Sequence, residues 1–265
     1  MADRLLSSDD AWRTVTYLRK HPSERLVALR STLRRQIAGK SCLVLGSAPS
    51  ATLPADGDYS RCLCVNGSPV VAKRNRIEVD VTVVVGFTTS MKKDISALTM
   101  EKLRGHHSDT VVFVSAGDTF EKGLAGLQRQ RFSFHEALEV TAIERAVIVG
   151  GVCGQEFGLG RRDERVSNGV FTIVLALWAG ASRVLVSGIS LSGGHDYASG
   201  TPRYHVEGDR LCLQELAKKR RDVITTSCDL AKETGLPFYG LSHAGWWDWI
   251  MRYLRKIRSP WSTER

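Results

Sequence analysis

The segment Arg165 to Tyr197, RVSNGVFTIVLALWAGASRVLVSGISLSGGHDY, constrains this chain more than any other. It opens with polar residues, continues as an apolar helix, turns tightly, enters a buried strand and leaves in a loop of Gly, Ser and polar groups. Ser167 or Asn168 can cap the helix, Val170 to Trp178 supplies its apolar body, and Gly180 falls where a left-handed residue ends it. Arg183 to Val186 then reads as a strand that Gly188 terminates. In open α/β sheets, ligands bind beyond the carboxyl ends of strands and against helix amino termini. Residues 165–169 and 187–197 are therefore expected to face a phosphate.

Two further strand ends point the same way. Ser41 to Leu45 is a short apolar run followed by Gly46-Ser47-Ala48-Pro49-Ser50, and Cys62 to Val65 ends in Asn66-Gly67-Ser68-Pro69. Small, turn-forming residues after a strand suit close backbone approach to a ligand, although each turn alone is more often just a tight connection. Neither is a phosphate loop of the Gly-Lys-Ser/Thr type, and no G-x-G-x-x-G follows the first strand.

More strands are predicted at Val79 to Val85, Thr110 to Val114, Ala146 to Val149 and Pro237 to Tyr239, with helices between several of them. Ser8 to Ala38 reads as one or two basic helices, with Leu26, Leu29 and Leu33 at helical spacing. Residues 115–144 and 150–164 carry no clear period and are assigned to loops or a lid. This alternation predicts an α/β fold with a doubly wound, mostly parallel, Rossmann-like sheet and helical additions at both ends. The expected organisation is a helical segment over 1–40, a nucleotide-binding domain over 41–243 and a basic aromatic helix over 244–265.

Composition narrows the partners. The chain has 265 residues, of which 43% are hydrophobic, enough to bury a substantial core. A formal charge of +9 favours anionic partners. Six cysteines (Cys42, Cys62, Cys64, Cys153, Cys212, Cys228) lie mostly in apolar contexts. Cys62 and Cys64 share one strand face and no second C-x-x-C follows, so reduced core thiols are expected and zinc is not. No signal peptide or uninterrupted membrane span is visible, which predicts a cytoplasmic location. Ala244 to Arg258 sets three tryptophans and several aliphatics among Arg252, Arg255, Lys256 and Arg258. Such a helix suits an anionic membrane interface, and packing on the core explains it nearly as well. No recognised nucleic-acid module accompanies these residues.

In their order and spacing, these pieces resemble the bacterial sialyltransferases of glycosyltransferase family 42. More distantly they resemble a group that includes archaeal pterin pyrophosphokinase-like proteins. The resemblance covers roughly residues 40–242, with long gaps between matched segments. Gly46-Ser47-Ala48-Pro49-Ser50 is similar to the family's Gly-x-Gly-Pro-Ser turn, and Asn66 matches an Asn that contacts the nucleotide sugar. Arg165-Val166-Ser167-Asn168-Gly169 matches an Arg-x-Thr-Ser-Gly segment, and Val184 to Ser190, with Ser187, Gly188 and Ser190, matches a strand and Ser-Gly-Ile-Asp loop. Ser47 stands where the family has Asn and Ser190 where it has Asp, so donor contacts at those positions must differ.

The resemblance implies a GT-A-type variant of the fold and an inverting, metal-independent transferase. It would move a sialic acid, a related nonulosonic acid or Kdo from a CMP-activated donor to a saccharide or glycolipid acceptor. CMP leaves as a monophosphate, so no cofactor or metal is expected; Arg165, the Asn168-Gly169 helix start, Tyr197 and Tyr204 are the candidates for stabilising it. The family uses a His after the strand 184–186 loop as general base. His205 best fits the order of Tyr, His and helix, ahead of His195 and His243. Two alternatives stand beside this reading. A pterin pyrophosphokinase-like enzyme would need acidic loops for Mg²⁺, which the residues after Asp80 do not offer. A non-catalytic, membrane-associated nucleotide-binding protein would need the pocket and no base.

Overall fold

Short runs of Val, Leu, Cys and Ile, bounded by turn residues, form the strands of this protein, as expected for strands buried on both faces. In a computed structural model, residues 8–49, 51–85, 94–115, 119–154, 165–194 and 205–240 are described. The elements run α1 (Ser8–Lys20), α2 (Glu24–Ile37), β1 (Ser41–Leu45), β2 (Arg61–Val65), α3 (Pro69–Arg74), β3 (Val81–Val85), α4 (Asp94–Leu103) and β4 (His107–Ser115). They continue with α5 (Thr119–Arg129), β5 (Ser133–Thr141), α6 (Ala142–Cys153), α7 (Asn168–Trp178), β6 (Arg183–Ser187), α8 (Val206–Lys219), β7 (Val223–Thr225) and α9 (Cys228–Thr234).

Seven strands form one sheet in the order β5-β4-β3-β2-β1-β6-β7, and every pair is parallel. The chain winds outward from β1 to β5, then returns across the sheet to place β6 on the other side of β1. The crevice for a ligand in such a sheet opens beyond the carboxyl ends of β1 and β6, where the strand order reverses. This is the doubly wound α/β sheet that the alternating pattern predicts.

Side-chain alternation divides the core into two layers. Cys42, Val44, Leu63, Val81, Val112, Val184 and Val186 point to the face covered by α1, α2, α6, α7 and α8. Leu43, Leu45, Cys62, Cys64 and Leu185 point to the other face, where Ala72 of α3 and Tyr59 of the 46–60 connection meet them. Helix α7 is buried over Val170–Leu177 and lies against β1, β2, β3 and β6. Helix α2 buries Leu26, Leu29, Leu33 and Ile37, so the N-terminal helices share this core.

Four elements differ from expectation. Ala146 to Val149 is the interior of helix α6, not a strand. Four consecutive apolar residues fit a buried helix as well as a buried strand, and the Thr141–Glu144 capping box decides between them. Residues 119–129 and 133–141, assigned to loops or a lid, form helix α5 and edge strand β5. The last strand is Val223–Thr225, and Phe238 adds only a single bridge to Thr225. Among the described residues, no helix is long and apolar enough to cross a membrane. The basic aromatic segment 244–258 lies outside the described residues.

Candidate active site

The carboxyl edge of the sheet gathers most of the candidate residues. Past the ends of β1 and β6 the two chains stay paired, since Gly46 N–H donates to Ser187 O and Ala48 N–H to Gly188 O, both at 2.8 Å. Gly188 is left-handed at φ +64°, and a Cβ there would lie 2.6 Å from Gly46 O. A Cβ on Gly46 would in turn collide with Gly188 O. The close approach at these glycines is thus between the two loops, one on the other. Ser47 is buried and Pro49 exposed. Ser187 is buried beneath the 46–60 connection, donating its hydroxyl to Thr52 O at 2.7 Å. The Ser190 hydroxyl accepts from Gly193 N–H at 2.7 Å, a local turn bond that an Asp could also make. Ser50 lies outside the described residues.

Asn66 ends β2 in a left-handed conformation, φ 49°, which Asn tolerates better than most residues. Two residues on, the buried Ser68 hydroxyl accepts from Val65 N–H at 2.7 Å and donates to Leu45 O at 2.6 Å, tying the ends of β1 and β2 together. Asn66 Oδ1 meets Asn168 Nδ2 of helix α7 at 3.5 Å. Ser167 is the N-cap of α7 as expected, accepting from Val170 N–H at 3.3 Å, and Gly180 at φ +94° follows its C-cap.

Two charged residues that sequence reasoning missed organise this helix tip. Arg145 of α6 donates through Nη1 to Asn168 Oδ1 at 2.9 Å and through Nη2 to Val166 O, and its guanidinium stacks over Phe171 at 4.9 Å. Asp209 of α8 is fully buried and accepts from Ser167 N–H through Oδ1 at 2.6 Å. Burial lowers the Arg145 pKa to about 10, against the attraction of Asp209 and with the repulsion of Arg165. It therefore remains a cation at neutral pH. The sequence signal for Arg145 was the Thr-x-x-Glu box that starts its helix; Asp209 had none beyond its place in the first turn of α8.

His205 is the N-cap of α8, and its Nδ1 lies 3.1 Å from Arg165 O. A carbonyl only accepts, so Nδ1 carries the proton and the neutral ring presents Nε2 as its basic nitrogen. Arg165 itself is exposed beside Val166 and Ser167. The described candidates Asn66, Arg165, Ser167, Asn168, Gly169 and His205 are therefore brought to one edge. Tyr197, Tyr204, His195 and His243 lie outside the described residues.

The cysteines and acids also find their places. Cys42, Cys62, Cys64, Cys153 and Cys212 are buried free thiols and Cys228 is exposed. Cys153 and Cys212 meet at 3.2 Å, and that contact together with burial pushes the Cys212 thiol pKa well up. The chain contains one Asp-x-Asp spacing, Asp56-Gly57-Asp58. Asp56 is exposed, and the Asp58 carboxylate accepts from the Tyr239 hydroxyl, so this pair belongs to the tethering of the 46–60 connection.

No family model and no curated protein matches this chain. Among solved structures, it is similar to the monofunctional alpha-2,3-sialyltransferase Cst-I from Campylobacter jejuni. The two share 13% identity at a TM-score of 0.48, over 75% of this chain and 80% of that one. It is also similar to the sialyltransferase CstII of the same organism, solved with cytidine-5'-monophosphate, at 13% identity and a TM-score of 0.43 over 74% and 84% of the two chains.

Proposed function

We propose that this protein is a glycosyltransferase that takes a sialic acid or related carboxylated sugar from a CMP-activated donor and transfers it to a saccharide or glycolipid acceptor. The observation that carries the reading is the His205–Arg165 contact at the tip of α7. It sets a histidine with a defined basic nitrogen on the backbone that leads into the α7 amino terminus, which the Arg145 guanidinium holds through Val166 O and Asn168 Oδ1. Arg145 and Arg165 repel one another, and a phosphate between them and the Asn168-Gly169 amides would relieve that repulsion. The ordered motifs resembling glycosyltransferase family 42 supply the nucleotide and sugar class.

In this reading the donor nucleotide lies against Asn66 and the start of α7, beyond the paired glycine loops. The sugar's anomeric carbon departs from phosphate through an oxocarbenium-like state. Nε2 of His205 takes the proton of the attacking acceptor hydroxyl while Arg165 and the helix start hold the leaving phosphate. Tyr197 and Tyr204 are assigned to the same phosphate, and the reaction proceeds by inversion without a metal. Residues 244–258 attach the protein peripherally to an anionic, cytoplasm-facing membrane where a glycolipid acceptor resides.

The test is donor turnover in a His205→Ala variant. Loss of a general base should lower transfer by roughly 10² to 10⁴ with CMP affinity little changed. CMP binding with no transfer to any acceptor and no donor hydrolysis, in the wild-type protein, would favour a non-catalytic nucleotide-binding role instead.

A further inference from the structure

At the opposite, amino-terminal edge of the sheet, β4 and β5 bring together side chains that the proposed transferase does not use. The β4–β5 register pairs His107 with Ser133 and Ser108 with Phe134, which places Asp109 opposite His135. Alternate residues of a strand share a face, so His107, Asp109, Ser133 and His135 project from the same side of two adjacent strands. The two imidazoles meet edge to face with centroids 5.3 Å apart, and His107 Nε2 lies 3.5 Å from Asp109 Oδ1. One ligating atom from each of His107, Asp109 and His135 falls within 4.8 Å of the others.

We propose that His107, Asp109 and His135 bind a divalent late transition metal, Zn²⁺ or its neighbours Co²⁺, Ni²⁺ and Cu²⁺, as a clamp joining edge strand β5 to β4. Two imidazole nitrogens and one carboxylate suit these ions, whereas Mg²⁺ and Ca²⁺ prefer oxygen ligands. Donors bound at about 2.0–2.2 Å sit roughly 3–3.5 Å apart around a tetrahedral ion, so rotation of exposed side chains by about an ångström closes the site. The outer contact is already in place. His107 Nδ1 lies 3.0 Å from Ser133 Oγ, and donation to that hydroxyl leaves Nε2, the nitrogen facing Asp109, as the metal ligand. All three ligands are exposed, so water completes the coordination. The strand backbone fixes the Cα positions, and this separates the trio from histidines scattered on a loop.

Calorimetric titration of the full chain with ZnCl₂, paired with the visible absorption of bound Co²⁺, tests the site. Saturable binding of about one equivalent is expected, weakened at least about tenfold in His107→Ala, in His135→Ala and in Ser133→Ala, the last through the lost outer contact. Asp109→Asn provides a conservative variant, and melting of each variant in EDTA should match the wild-type protein because the side chains are solvated. Absence of Zn²⁺ binding to the wild-type chain would overturn the proposal, and so would unchanged binding in a His107→Ala/His135→Ala double variant.

Discussion

The carboxyl edge of the sheet and the β4–β5 corner of its amino edge treat their polar side chains in opposite ways. At the carboxyl edge, Arg145, Asp209, Asn168 and Glu144 are packed among protein atoms, each with assigned partners. At the amino edge, His107, Asp109 and His135 stand in solvent on strands held by the same parallel pairing. The difference follows from chain direction. Helices return to the carboxyl edge with their amino termini, whose orphan amides and partial positive charge recruit acids, amides and phosphates into the crevice. At the amino edge Asp80 still pairs with Arg61 and the Cys62 amide, whereas the outward face of β4 and β5 leaves His107, Asp109 and His135 to water.

Substitution should separate the edges sharply. Asp209→Ala removes the acceptor of Ser167 N–H and the counter-charge of Arg145 at a fully buried position. A loss of about 3 kcal/mol or more in urea-induced unfolding is expected, since a buried charge is left uncompensated. A loss below about 0.5 kcal/mol would mean that the carboxyl edge is as solvated as the other and would collapse the comparison.

The next largest effect concerns Glu144, which closes the capping box of α6 and pairs with Arg25 and Ser23. Burial raises its pKa, but the bonds from Thr141, Arg25 and Ser23 outweigh that, and the net shift is below the ordinary 4.5. A depressed folded-state pKa contributes stability above the unfolded value, which is lost as pH falls through the folded one. Glu144→Gln should therefore cost about 2 kcal/mol at neutral pH. The gap to wild type should close as the pH of a melting series drops below 4.5. A gap that stays constant with pH would show that the carboxylate charge is not what Arg25 and Thr141 hold.

The smallest effect is expected at the amino edge. Without added metal, His107→Ala and His135→Ala should each change stability by less than about 0.5 kcal/mol, as solvated surface substitutions do. A larger loss in EDTA would show that the trio is already part of the fold's own packing.

These edges also differ in how well the sequence announced them. Strands β1, β2, β3 and β6 are legible because each is a short apolar run ended by Gly or Asn, and the Ser167 cap and Gly180 stop of α7 bracket one apolar run. Edge strand β5 is not, because SFHEALEVT mixes polar and apolar residues on a strand with one neighbour only. The helix α6 was hidden by its Val-Ile-Val centre, and Arg145 went with it. Asp209 and the His107–His135 pair were invisible for a different reason: their meaning lies in partners 26 or more residues away, joined only by sheet register or helix docking. Asn66 and Asn168 were named from motifs, while their mutual contact emerged only from the fold.

The central claim, that the carboxyl edge between Asn66 and the start of α7 is a cytidine nucleotide site, is tested most directly by a thermal-shift comparison of CMP, UDP, ADP and GDP at equal concentrations. A ligand that binds only the native state raises the melting temperature in proportion to the logarithm of its occupancy ratio. CMP should raise it most, with UDP, ADP and GDP well behind. Equal shifts from all four nucleotides, or none from CMP, would contradict the account.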